Sequence, residues 1–322
     1  MRVAIRCATT PGTEAIHKAQ FTLYASDISN AIALDVRRVK MRDALNDADA
    51  ERQKLAQNFD VLEHCLAAGY CVDGSISGTE LDPRQHSAAV LFTSGLTQTI
   101  AILKIAPDPS QQRQLYDPVA VAVLVRALAE TYLSFRYSGY EPNTFEEYEF
   151  RRKFSQFHGA HKAWDMARRF GMPEIDLIAL GARRTLLHSE LVEDSLFKAL
   201  PEGDQKRFVK DDHARHLTLS QLSANAGIKP SAWQTIYGFL SQYAHANAFS
   251  FNQLKRLNAD SAEANTTLSM LVQLAAGFIS KFVIDMEVLF PGCGELIDSE
   301  QRQWLTVESS VLEAMGVQRI DS

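Results

Sequence analysis

The chain predicts an all-α fold, a multi-helix bundle with an N-terminal long-helix arm. Three observations carry that expectation. No run keeps a period-2 alternation of apolar and polar residues, and RVAIR at residues 2–6 is the one short strand candidate. Apolar residues recur instead at helical spacing, as at Leu55, Phe59, Leu62 and Leu66. The ten prolines sit where such stripes begin or end, and proline interrupts helices but suits their first turn.

The elements follow in order. Residues 13–68 hold neither glycine nor proline, and Ser26 or Asp27 can cap a helix carrying the stripe Ile28, Ile32, Val36 and Val39. The polar NDADAERQK between the two stripes leaves open whether helix 27–68 is continuous or restarts near Asn46. CVDGSISGTELDPRQ, from Cys71, reads as a loop, and a helix follows from about Gln85 to Ile105. Asp117-Pro118 is a helix start with Asp at the N-cap and Pro at N1, and this helix ends near Gly139. Thr144-x-x-Glu147 is a capping box for a helix reaching Phe170, stopped by Gly171 and Pro173. RRKF after EEYEF reads as its solvated face, with Glu147–Arg151 as an i,i+4 pair. Further helices are expected over 174–200, from Pro230 to about Ala248, and over 261–290. PEGDQKRFVKDDHARH is a charged connector or short helix. The expected domains are an arm at 1–84, a helical core at 85–290 and a helical tail at 291–322.

Composition bounds the function. With 322 residues, 46% of them hydrophobic, the chain can bury a large core unaided. A net charge of -6 gives no reason to expect nucleic acid or an anionic membrane as a partner. Four scattered cysteines form neither a disulfide framework nor a CxxC metal site, and the N-terminus has no apolar core of a signal peptide, so a reducing, cytoplasmic setting is expected. Two stretches, 118–137 and 268–290, are nearly apolar. The first holds Arg126 and Glu130, the second Lys281, Asp285 and Glu287. A charge at a bilayer centre costs roughly 2.5–3.5 kcal/mol or more, so both read as core helices.

Those few polar groups are the candidates for chemistry. Arg126 and Glu130 lie four apart on one face of a helix that is apolar all round. Tyr237, Ser241 and His245 repeat every four residues on a second apolar helix, with Trp233 one turn earlier. If the two faces meet, a hydroxyl, an imidazole, a carboxylate and a guanidinium share one pocket, with His245 as a base near neutral pH and Arg126 holding an anion. The competing reading is a structural network of satisfied core groups, because an unpaired buried charge is costly and pairing alone explains such residues.

LVRALAETYLSFRY, followed by YGFLSQYAH, resembles an uncharacterised bacterial family of helical proteins with an R-x-x-x-E helix and a later Y-x-x-x-S-x-x-x-H helix, over roughly 85–290. Its layout is loosely similar to the HEPN group. That resemblance implies RNA-directed activity, in ribonuclease, toxin or phage-defence roles, and action as a homodimer. The HEPN signature itself, Arg and His separated by four to six residues, is matched by Arg183–His188 and Arg152–His158, but chance supplies matches to so short a pattern and Arg184 departs from the polar residue that usually follows. The alternative class is a non-catalytic module that binds a protein partner or oligomerises through its N-terminal helices.

Other chemistries find less. His158-GA-His161 with Asp165, and His213-AR-His216, are HxxH pairs without a defined metal-ligand pattern, and His213 and His216 are expected to be exposed. LTLSQLSANAGIKPSAWQTIYGFL has the outline of a helix-turn-helix, but AWQTIYGF offers bases one Gln and no basic residue, so it reads as an αα-hairpin. No Walker, GxGxxG or GxSxG motif occurs, and no cofactor is expected.

Overall fold

The computed structural model describes residues 47–106, 117–210, 213–244 and 261–314. The expected helix start at Ser26 or Asp27, the Ile28–Val39 stripe, the RVAIR strand and the question of continuity at Asn46 lie outside them. Every regular element among the described residues is helical. In chain order these are α1 over 47–76, α2 Pro83–Ile105, α3 Pro118–Phe135, α4 Phe145–Arg169, α5 Glu174–Val192, α6 Ser195–Lys198, α7 Glu202–Lys210, α8 Leu219–Asn225, α9 Pro230–Ala244, α10 Ala262–Leu289 and α11 Ser299–Ala314. A single π-helical turn, Arg136–Tyr140, continues α3.

α10 is the centre. It is buried on nearly every face, with α2, α3 and α11 packed around it. Aromatic rings lock the junction of α2, α3 and α10. Phe282 lies 4.9 Å from Phe135, 5.2 Å from Tyr132 and 5.8 Å from Phe92 between ring centroids. α1 contributes its stripe Leu55, Phe59, Leu62 and Leu66 to the same core. α2, α3 with its π turn, and α10 are long and apolar enough, by length and composition, to cross a membrane. In the fold two buried charges of α10 are matched by protein. Lys281 reaches Glu313 at 2.8 Å and Asp285 meets Arg136 at 2.9 Å. A second apolar cluster, built on Phe150, Phe154, Phe157, Leu187 and Leu191, joins α4 to α5, α6 and α7.

Several boundaries differ from expectation. The loop expected from Cys71 begins only after residue 76, because Val72 and Ile76 are buried in the core and Ser75 Oγ bonds back to the Cys71 carbonyl at 2.7 Å. Packing there outweighs the helix cost of Gly74, about 1 kcal/mol. Thr144 does cap α4, its hydroxyl accepting from Glu147 N at 3.1 Å, but Glu147 turns to Asn143 N and Arg151 rather than closing the box. Arg151 is not on a solvated face: it is 5% exposed. The expected αα-hairpin appears as α8, a turn with Gly227 at φ +78°, and α9, whose Ala232, Trp233, Ile236 and Leu240 enter the core.

The π turn brings the chain end of α3 against α2. A Cβ on Gly139 would sit 2.6 Å from Ala88 Cβ and 3.0 Å from Ala88 Cα. Gly139→Ala is therefore expected to destabilise by about 1–3 kcal/mol through overpacking, read as a lower urea midpoint at unchanged slope.

Candidate functional site

α3 and α9 lie side by side because both are apolar on the faces they share with the core. Along that seam α3 presents Arg126, Glu130 and Ser134 at successive i+4 positions, and α9 presents Trp233, Tyr237 and Ser241. Three of the five candidates converge. Arg126 Nε donates to Glu130 Oε1 at 3.0 Å, and Arg126 Nη2 donates to the Tyr237 hydroxyl at 2.7 Å. That hydroxyl donates in turn to Glu130 Oε1 at 3.0 Å. The guanidinium carbon stands 4.8 Å from the Tyr237 ring centroid, and Trp233 stacks on the same ring at 5.1 Å. The triad is open to water, with the side chains of Arg126 and Glu130 24% and 37% exposed.

Electrostatics suit a site that keeps its protons in place. Burial works against the Arg126 charge, yet its bond to Glu130 and the neighbouring Tyr237 hold its pKa above the usual value. Burial, then the Glu130 carboxylate, raises the Tyr237 phenol, which stays protonated at neutral pH. Ser241 lies one turn on, and its buried hydroxyl has no hydrogen-bond partner. His245 lies outside the described residues.

Sequence reasoning missed the other end of the seam. Arg215, from the segment before α8, donates through Nη2 to Ser134 Oγ at 2.7 Å, and Ser134 donates to the Glu130 carbonyl at 2.7 Å. Beside it Tyr137 and His216 share a hydrogen bond of 2.9 Å. His213 and His216 are half-buried rather than exposed, because Phe208 packs on the first ring and Phe150 and Phe154 on the second. The segment DDHARH has no apolar periodicity to betray this.

Burial, aided by the Arg151 charge, lowers the His216 pKa from 6.5 to about 4. The folded imidazole is thus neutral. Between pH 6.5 and about 4 the unfolded chain binds a proton that the folded chain refuses, so this group removes stability as pH falls through that window. His216→Asn, which still offers Tyr137 a hydrogen-bonding oxygen, is expected to flatten the loss of urea midpoint between pH 7 and pH 5.

A closed polar network lies beside the π turn. Arg136 donates to Asp285 Oδ2 at 2.9 Å and to the Asn225 carbonyl at 2.8 Å, and Tyr132 donates to the same carboxylate oxygen at 2.9 Å. Glu141 accepts from Arg136 at 3.4 Å and from Arg151 at 3.3 Å. These side chains are buried and matched, so they hold helices together and are not open to a ligand.

The remaining motifs do not assemble. Arg152 is clamped on Glu149 at 2.8 and 2.7 Å and on Gln156 at 2.7 Å. Arg183 is exposed and shares no hydrogen bond with His188, whose ring packs 5.5 Å from Phe157. Among the described residues no three His, Cys, Asp or Glu side chains gather as metal ligands.

No curated protein and no solved structure matches the chain. A family model matches residues 92–264, which span α3, α9 and the whole seam between them, and cover more than half of the sequence. The chain therefore belongs to DUF5677, a family of unknown function.

Proposed function

We propose that the chain is a cytoplasmic, HEPN-like RNA-directed protein that cleaves single-stranded RNA at the seam between α3 and α9. One observation carries the reading: a protonated phenol is held between a guanidinium and a carboxylate that are both partly open to water. That is an acid, a base and an anion ligand within one hydrogen-bonded set. Glu130 takes the proton of the ribose 2′-hydroxyl as the 2′-oxygen attacks phosphorus. The bond from phosphorus to the 5′-oxygen breaks, and Tyr237 protonates that oxygen while Arg126 steadies the phenolate. The existing Tyr237–Glu130 hydrogen bond then returns the proton from Glu130 to Tyr237. Base duty, assigned to His245 from sequence, passes to Glu130 in this scheme. The test is incubation of the purified protein with end-labelled single-stranded RNA. The expected products carry 2′,3′-cyclic phosphate and 5′-hydroxyl ends, and intact RNA at micromolar enzyme contradicts the reading.

A second reading, a self-associating module, rests on the α4–α5 tip, where Phe170, Ile175 and Ile178 are 76%, 71% and 60% exposed. Uncut RNA together with a sedimentation mass halved by Ile175→Asp would put this reading in place of the first.

A further inference from the structure

Among the described residues, Arg215 is the seam arginine without an ion-pair partner. Arg126 has Glu130, Arg136 has Asp285 and Glu141, and Arg151 has Glu141 and Glu147. Arg215 is half-buried, yet among the described residues its hydrogen-bond partner is the neutral Ser134 hydroxyl, and no carboxylate lies within ion-pair distance. Burial pulls its pKa down, and Glu130, Tyr137 and Tyr237 are near enough to oppose that only in part. A half-buried guanidinium without a counter-ion costs stability, and an anionic ligand supplies the missing charge.

The seam also defines what that ligand must be. Among the described residues, Arg126 and Arg215 contribute two positive charges and Glu130 one negative charge, which leaves a surplus of one. A phosphodiester carries one negative charge, and its non-bridging oxygens suit the planar fork of a guanidinium. One N–H of Arg215 is spent on Ser134, which fixes the direction of the head group and leaves four donors. Along the same seam the buried Ser241 hydroxyl is also without a partner. An unmatched charge of this kind calls for an explanation, and an anionic ligand beside Ser134 supplies one.

We infer that Arg215 is a ligand-binding residue that holds the non-bridging oxygens of a phosphodiester in the seam beside Glu130 and Tyr237. The inference rests on the seam being a substrate site, and it adds the residue that recognises the phosphate.

The test uses the full chain and thymidylyl-(3′→5′)-thymidine, a phosphodiester without a 2′-hydroxyl, so that binding is read without turnover. Thymidine is the control without phosphate, and acetate is the control for any small carboxylate. Binding is measured by calorimetry and by the shift of the thermal midpoint. The dinucleotide is expected to bind and to raise the midpoint by about 2–4 °C at tenfold excess over Kd, while thymidine and acetate do neither. Arg215→Met, which keeps the apolar stem, is expected to weaken dinucleotide binding roughly 10–100-fold and to leave the ligand-free midpoint unchanged or higher. Arg215→Lys should fall between the two. Equal binding by Arg215→Met overturns the inference, and so does a lower ligand-free midpoint in both variants, since that is the mark of a structural arginine. Arg215-dependent binding without RNA cleavage would remove the ribonuclease reading and leave the phosphate site. Glu130-dependent cleavage with unchanged Arg215→Met binding would do the reverse.

Discussion

Replacing Asp285 with alanine is expected to destabilise the protein by about 3–5 kcal/mol, the range for breaking one side of a buried ion pair. The carboxylate accepts from Tyr132 on the last turn of α3 and from Arg136 at the start of the π turn, and so ties α10 to that junction. Without it the Arg136 guanidinium keeps the long contact to Glu141, the Asn225 carbonyl and the face of the Tyr140 ring, in a setting where its side chain is 10% exposed. The loss is paid mostly as an uncompensated charge, so removing that charge should recover much of it. Asp285→Leu combined with Arg136→Met is expected to be markedly more stable than Asp285→Ala in guanidinium unfolding. A double variant no better than the single one would mean that packing, not charge, sets the cost.

Glu130→Gln is expected to lower kcat/KM for RNA cleavage by about 10²–10⁴-fold, the span of a general base removed. The amide oxygen can still accept from Tyr237 and from Arg126 Nε, so the triad geometry survives. The stability change should stay within about 1 kcal/mol, because the Arg126–Glu130 pair is partly exposed and such pairs contribute little. A rate loss with intact unfolding midpoints separates chemistry from folding. Cleavage that persists in Glu130→Gln would pass the base role to another residue.

The pairing of α3 with α9 is legible in the sequence. Arg126, Glu130 and Tyr237 are polar residues at helical spacing in apolar helices, and such groups must find each other or lose free energy. The Leu55–Leu66 stripe was legible for the same reason, since period alone decides which face is buried. Arg215 and His216 were not, because DDHARH is charged and aperiodic, and their burial comes from α4 and the π turn folding over them. Arg151 shows the limit most clearly. Its i,i+4 partner Glu147 could be named from spacing, but the Tyr137 carbonyl that draws it inward is freed by the π turn, where Glu141 N bonds to Arg136 O five residues back. No local propensity announces that turn. Cys71–Ile76 failed in the other direction: Gly74, followed by Gly78 and Pro83, reads as a loop, and Val72 and Ile76 packed it as helix.

Occupancy of the seam is the point on which the functional account turns, and Trp233 reports it from within, since its ring stacks on that of Tyr237 at 5.1 Å. With Trp164 and Trp304 replaced by phenylalanine, Trp233 is the sole emitter. Titration with single-stranded RNA should change its emission saturably, with the same midpoint as RNA binding measured by anisotropy of the labelled strand, and Arg126→Met should weaken both together. RNA that binds by anisotropy while the Trp233 emission stays constant would place the nucleic acid elsewhere on the molecule and contradict the account.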